Sequence, residues 1–140
     1  MKVMVLVKAD ARSEAGEMPG EALLSAMMAY NEQLAKAGVM RAGDGLHPSS
    51  RGARVRFSAG GPEVVRGPFP EPTSLVAGYW VWEVASLDDA IAWARRCPME
   101  AGAMLEIRPV FTAEDFGDAL TPELREKEER LRAEAASRGA

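Results

Sequence analysis

The sequence has few of the residues that cross-links and metal centres require. Its 140 residues include one cysteine, Cys97, and one histidine, His47. A single cysteine cannot form an internal disulfide, and these two side chains are too few for a typical structural zinc site. The low cysteine count agrees with a reducing compartment. We therefore expect a cytoplasmic protein that uses neither a metal nor another cofactor.

Positive charge and long apolar runs are also scarce. The chain has 17 lysines and arginines against 21 aspartates and glutamates, a net charge of -4. This is the wrong sign for a surface that must neutralise many phosphates. All apolar runs are much shorter than the roughly 20 residues that cross a bilayer. We expect neither nucleic acid nor a membrane as a partner.

What remains is typical of a folded globular chain, with 47% hydrophobic and 27% charged residues. Continuous apolar residues predict a buried strand at 2–7, and a stripe from Leu23 to Ala37 predicts a helix that begins near Pro19 and ends at Gly38. A hairpin is expected over 53–58 and 63–66, and an aromatic strand over 77–85. Ser86 is placed to cap a second helix, and the last strand covers 104–110. Glycine and proline between 39 and 50 predict a loop.

This order predicts an α+β fold, a ferredoxin-like sandwich with an extra β-hairpin. Each helix has one apolar stripe, so both helices belong on one face of the sheet. Trp80, Trp82 and neighbouring apolar side chains would then leave a large patch on the other face, which we expect a second copy of the chain to cover. We assign residues 1–120 to this domain and residues 121–140 to a charged helical tail, capped by Thr121 with Pro122 in its first turn.

Several blocks occur in order along the chain: GDGLHPSS, GARVRFS, GPF, GYW, DDAIAWARRCP and EIRPVFTAEDFGDAL. Together they resemble the YCII-related, or DGPF-domain, family over residues 1 to about 120. The resemblance implies a dimeric α/β barrel, in which two ferredoxin-like sheets face each other.

The resemblance also implies a class of chemistry. A few relatives in the wider superfamily act on small aromatic compounds, one of them as a dehydrochlorinase, through a proposed histidine and aspartate pair. Residues 26–30, where those relatives carry a helix histidine, contain none here. Arg66 stands where the family usually has the aspartate of DGPF, so a permanent cation replaces an acceptor.

His47 and Asp44 are the candidate catalytic residues. His47 has the only side chain whose ordinary pKa is near neutrality, and it follows Asp44 by three residues. Asp44 could orient one imidazole nitrogen while the other acts as a general base. Alternatively, His47 bonds to a backbone carbonyl or to solvent and Asp44 only makes a turn.

Five further residues are candidate ligand contacts: Arg66, Tyr30, Tyr79, Trp80 and Arg108. Arg66 could clamp an anion, or pair with Glu71 or Asp44. The aromatic side chains could line a pocket for a flat ligand, or pack in the core or a dimer interface. Arg108 could reach the cleft, or pair with a charge beside Glu106.

We therefore predict a homodimer that binds or transforms a small anionic or aromatic molecule by cofactor-free acid/base chemistry. The alternative is a non-catalytic regulatory or interaction protein. Because members of the resembling family are often encoded near extracytoplasmic-function sigma factors, that alternative includes a link to such a factor.

Overall fold

A computed structural model of the chain describes residues 1–139. Contacts divide it into two compact units, Met1–Pro109 and Val110–Ala140. Whether the domain ends at residue 120, as the sequence predicts, stays a prediction. No helix in the described residues is both long and apolar enough to cross a membrane.

The first unit is built on a four-stranded antiparallel sheet. Its strands are β1 (Lys2–Lys8), β2 (Met40–Gly45), β5 (Val76–Glu83) and β6 (Leu105–Pro109), in the spatial order β2-β5-β1-β6. A short helix α1 (Ala11–Glu14) and a long helix α2 (Glu21–Lys36) join β1 to β2, and α3 (Leu87–Arg95) joins β5 to β6. The predicted ferredoxin-like α+β fold is confirmed.

The predicted hairpin is also present, as a separate two-stranded sheet. It consists of β3 (Ala53–Ser58) and β4 (Gly61–Arg66), inserted between β2 and β5. Val55 is 52% exposed and its cross-strand partner Val64 is 63% exposed. The hairpin therefore adds little to the core of its own chain.

The core lies between the sheet and both helices. Tyr30 and Leu34 from α2 and Ala90 from α3 pack in one cluster with the strand residues Val3, Val5, Trp80 and Trp82 and with Val84, just after β5. Complete burial of a side chain such as Leu34 or Val5 contributes about 1.5 to 3 kcal/mol. Both helices thus cover the same face of the sheet, as predicted.

The cap signals of the sequence are confirmed at three helix ends. The Ser86 hydroxyl accepts a hydrogen bond from the Asp89 amide at 3.2 Å, at the start of α3. Gly38 has φ +73°, a left-handed conformation just after α2. In the second unit, the Thr121 hydroxyl accepts from the Leu124 amide at 3.2 Å and starts α4 (Pro122–Gly139).

Two expectations were wrong. Residues 40–45 form an edge strand instead of a loop, because their backbone pairs with β5 from Met40 opposite Trp82 to Gly45 opposite Gly78. Trp80 and Trp82 point to the helix side and are 5% and 0% exposed. They therefore leave no patch on the other face of the sheet.

That other face, here called the open face, carries different residues. Met4, Leu6, Tyr79 and Val81 alternate with the core residues of β1 and β5, and all four are half-buried. Glu106 and Arg108 of β6 pair with Leu6 and Met4 on the same side. The open face is thus apolar in the middle and charged along β6.

Candidate functional site

A cleft of about 320 Å³ opens between α2 and the ends of β2 and β5. This volume falls in the range of small-molecule pockets. The helix contributes Leu24, Met27 and Asn31, and Met99 closes another side. The strands contribute Val7, Gly43, Asp44, Gly45, Ala77, Gly78, Tyr79 and Trp80. The lining is mostly apolar with a few polar groups, as in many ligand sites.

Glycines on facing strands create this space. Gly43 pairs with Trp80 and Gly45 with Gly78, on the helix side of the sheet. A Cβ on Gly43 would lie 2.7 Å from Trp80 Cδ1, so glycine lets the indole pack against the strand. A Cβ on Gly45 would meet nothing within 4 Å. Gly45 therefore faces open space at the cleft.

Trp80 is held firmly in the cleft wall. Its indole Nε1 donates to Asn31 Oδ1 at 2.9 Å, and its ring meets Tyr30 edge-on with centroids 5.9 Å apart. The Tyr30 hydroxyl donates to the Trp93 carbonyl at 2.6 Å, and burial raises the pKa of Tyr30. Tyr30 thus belongs to the core behind the wall and is not among the cleft-lining residues.

Asp44 and Tyr79 form a polar pair on the two strands that line the cleft, and their side chains lie on the open face, opposite to that of Trp80. They are direct neighbours across β2 and β5, and the Tyr79 hydroxyl donates to Asp44 Oδ2 at 3.0 Å. The hydrogen bond and the negative charge of Asp44 raise the pKa of Tyr79. The Asp44 carboxylate has further lone pairs besides the one that this bond uses. It can therefore still accept a proton or a hydrogen bond from a ligand.

His47 has a different neighbour from the one the sequence suggests. Arg51 Nη1 lies 3.2 Å from both ring nitrogens of His47, whereas Asp44 is bonded to Tyr79. His47 is exposed and is not among the cleft-lining residues. The structure therefore gives Asp44 and His47 separate side-chain partners, and their joint catalytic role stays a prediction.

Arg66 lies at the end of β4, opposite Ala53, and its side chain is exposed. None of the ion pairs among residues 1–139 includes it, so the expected pair with Glu71 or Asp44 is not formed. Arg108 is also exposed, and its guanidinium lies 3.3 Å from Glu106. Neither arginine lines the cleft.

The GPF segment after Arg66 is fixed by residues that the sequence did not single out. The Ser49 hydroxyl and amide both donate to the Glu14 carboxylate, the amide at 2.9 Å, and the same hydroxyl accepts from the Phe69 amide at 3.0 Å. The Arg54 guanidinium lies 3.9 Å from the centroid of the Phe69 ring. This network, here called the Ser49 clamp, ties the hairpin base to the segment after β1.

Gly67 lies very close to the Ser49 backbone, next to the Ser49 clamp. A Cβ at this position would lie 1.7 Å from the Ser49 carbonyl oxygen, which is backbone and cannot swing away. Only glycine fits there. The GPF segment itself is visible in the sequence, but its partners Glu14 and Ser49 are 35 residues apart and no local pattern joins them.

Comparison with known proteins agrees with the motifs. The model of the YCII-related domain matches residues 1–114. The chain belongs to the YCII-related family. The family assignment made from the sequence blocks is thus confirmed, and the match covers all six strands and the three helices α1 to α3.

This YCII-related chain is similar to two further proteins. An uncharacterised protein of Rhizobium meliloti (strain 1021) is 32% identical over 75 residues, which are 54% of this chain and 60% of that protein. A solved structure, 5-chloro-2-hydroxyhydroquinone dehydrochlorinase from Burkholderia phenoliruptrix AC1100 in complex with 2,5-dihydroxybenzoquinone, is 16% identical with a TM-score of 0.40. That match covers 80% of this chain and 96% of the enzyme.

Proposed function

We propose that this protein is a homodimer that binds a small aromatic or anionic molecule in the cleft and transforms it by acid/base chemistry without a cofactor. The observation that carries the proposal is a mostly apolar cleft whose edge strand, β2, bears the Asp44–Tyr79 hydrogen bond on its open-face side. A flat ring can lie in the space left by Gly45, against the accessible edge of Trp80 and the side chains of Leu24 and Met27. Because β2 is the edge of the sheet and Gly45 has no side chain, a hydroxyl or acid group on that ring would reach the polar pair around this edge.

In this proposal Asp44 is the base and Tyr79 positions it. A carboxylate that accepts one hydrogen bond at 3.0 Å keeps lone pairs for a second donor, such as a ligand hydroxyl. Proton transfer to Asp44 would leave a ligand oxyanion, which the Tyr79 hydroxyl could then stabilise as a donor. We further propose that His47, two residues after Gly45 on the chain, exchanges protons between the site and solvent.

A variant that fills the cleft tests whether the cleft binds the ligand. In the Gly45→Leu variant, a branched side chain enters the space where a Cβ meets no atom within 4 Å. We expect wild-type protein to bind salicylate or catechol by isothermal titration calorimetry, and Gly45→Leu to lose at least about tenfold in affinity, since the ring can no longer lie against Trp80. Gly60→Leu is the matched control, because Gly60 also has open space around it and lies in the hairpin turn.

Asp44→Asn separates binding from chemistry. The amide keeps an acceptor for the Tyr79 hydroxyl but is no base, so we expect turnover of a ligand found in the first experiment to fall about a hundredfold while its affinity changes little. His47→Gln should give a smaller loss that added imidazole restores. Equal turnover in all three proteins would remove both residues from the mechanism. An intact dimer whose cleft binds no aromatic or anionic probe would favour the non-catalytic alternative.

The open face supports the homodimer. Met4, Leu6 and Val81 form an apolar strip beside Tyr79, and a second copy laid on it would also exclude water from the Asp44–Tyr79 pair. We expect a dimer at micromolar concentration by sedimentation, and a monomer for Leu6→Arg. Leu131→Arg, on the 53% exposed α4 side chain, is the matched control and should stay dimeric. A wild-type monomer would refute the dimer.

A further inference from the structure

A second cavity lies at the other edge of the sheet, between α3 and β6. Its volume is about 390 Å³, and its lining is Ile91, Ala94, Arg95, Met99, Ala103, Leu105 and Ile107. Leu105 and Ile107 pair with Val7 and Val5 of β1, so they lie on the helix side of the sheet and not on the open face. This cavity, here called the α3–β6 groove, is therefore separate from the proposed dimer surface.

The lining of the groove differs in kind from that of the first cleft. Six of its seven residues are aliphatic or thioether side chains, and none is aromatic. Ile91 is 41% exposed, so the apolar surface is open to solvent from the α3 side. Flexible alkyl chains fill such aliphatic surface, whereas flat rings gain less there without an aromatic partner.

Arg95 is the only charged residue of the groove. None of the ion pairs among residues 1–139 includes its guanidinium. The neighbouring Arg96 is engaged, since it donates to Gln33 Oε1 at 2.6 Å and lies 4.3 Å from the Trp93 ring centroid. A guanidinium free to make two parallel bonds matches a carboxylate. The net charge of the chain is -4, so the positive charge of Arg95 beside this apolar surface is opposite in sign to the net charge.

We propose that the α3–β6 groove binds an unbranched aliphatic carboxylate, with the carboxylate on Arg95 and the alkyl chain along Ile91, Leu105 and Ile107. The site does not depend on the proposed function of the first cleft. Its ligand class is set by two features together, namely an aliphatic lining of pocket size and one cation with no partner in the described chain.

The test uses decanoate as the probe and decanol as its neutral counterpart, both titrated into the full chain by calorimetry. We expect decanoate to bind, and decanol to bind at least about tenfold more weakly, since a charge-assisted bond is worth roughly a factor of ten or more. Arg95→Gln should weaken decanoate about tenfold and leave decanol unchanged. Arg96→Gln is the matched control and should bind decanoate like the wild type.

A second variant tests the apolar part of the groove. Ala103 is exposed at its rim, so Ala103→Leu should fold normally, occupy groove volume and weaken both probes. Gly45→Leu, which fills the first cleft, should not abolish decanoate binding. The proposal is overturned if decanoate does not bind at millimolar concentration, if Arg95→Gln binds it as well as Arg96→Gln does, or if Gly45→Leu abolishes its binding.

Discussion

Gly67→Ala should disconnect the hairpin base from the rest of the first unit. The added Cβ would lie 1.7 Å from the Ser49 carbonyl oxygen and 2.6 Å from its carbon. Carbon atoms pack at about 3.5 to 4.0 Å, so the Ser49 backbone or the GPF segment must move by roughly 1.5 Å or more. A displacement of that size breaks the 3.0 Å bond from the Phe69 amide to the Ser49 hydroxyl.

The cost follows from these two losses. Forcing an extra carbon into packed backbone costs about 1 to 3 kcal/mol, and each lost hydrogen bond adds about 1 kcal/mol. We therefore expect Gly67→Ala to lower the free energy of unfolding by about 3 kcal/mol, measured by urea denaturation. If the hairpin base detaches locally instead, hydrogen exchange should show lost protection at the amides of Gly67 and Phe69, which donate to Gly52 O and the Ser49 hydroxyl.

The matched control is Gly60→Ala. A Cβ at Gly60 meets no atom within 4 Å, and the backbone there does not need a left-handed conformation. This substitution should be neutral or slightly stabilising, because alanine restricts the unfolded chain. A Gly67→Ala protein with wild-type stability and wild-type protection of the Phe69 amide would refute the reasoning.

Three further predictions follow from buried or hydrogen-bonded groups. Tyr30→Phe should lower the free energy of unfolding in urea by about 1 kcal/mol, because the Trp93 carbonyl loses the 2.6 Å bond but still accepts from a backbone amide. A loss above about 3 kcal/mol would contradict the assignment of a single hydrogen bond to the hydroxyl. In a Tyr30→Phe background, Asp44→Ala should lower the pKa of Tyr79 toward its ordinary value in an ultraviolet titration, and an unchanged titration would exclude the 3.0 Å bond in solution. Burial raises the pKa of Cys97 to about 11, so its thiol should react with a disulfide reagent about a hundredfold more slowly at neutral pH than in urea; equal rates would contradict its burial.

The fold was largely predictable because hydrophobic periodicity is a local signal. The apolar residues of α2, such as Tyr30 and Leu34, face the same core as the alternating residues of β5, such as Trp82. Strand β2 was missed because Met40–Gly45 contains two glycines and an aspartate, residues typical of turns, and its strand conformation comes from pairing with β5. Alternation showed that the two tryptophans share a face, but only packing decides which face the helices cover.

The roles assigned from the sequence to the candidate site residues stay predictions. Register brings Asp44, Tyr79 and Trp80 together on β2 and β5, with the Trp80 side chain on the helix side and the other two on the open face. The proximity of Asp44 and His47 in the sequence did not predict their partners, since strand geometry turns the Asp44 carboxylate toward Tyr79. The contacts of Ser49 with Glu14 and Phe69 join segments that are distant in the sequence, and rules based on local residue spacing cannot predict such contacts.

Met99 lines both the first cleft and the α3–β6 groove. Its flexible thioether can turn toward either space, so a molecule that pushes it out of one reduces the room in the other. The two sites are then thermodynamically linked, and the penalty that one occupant imposes on the second equals the penalty in the reverse direction. One unbranched side chain would thereby make separate ligands antagonists without any movement of the backbone.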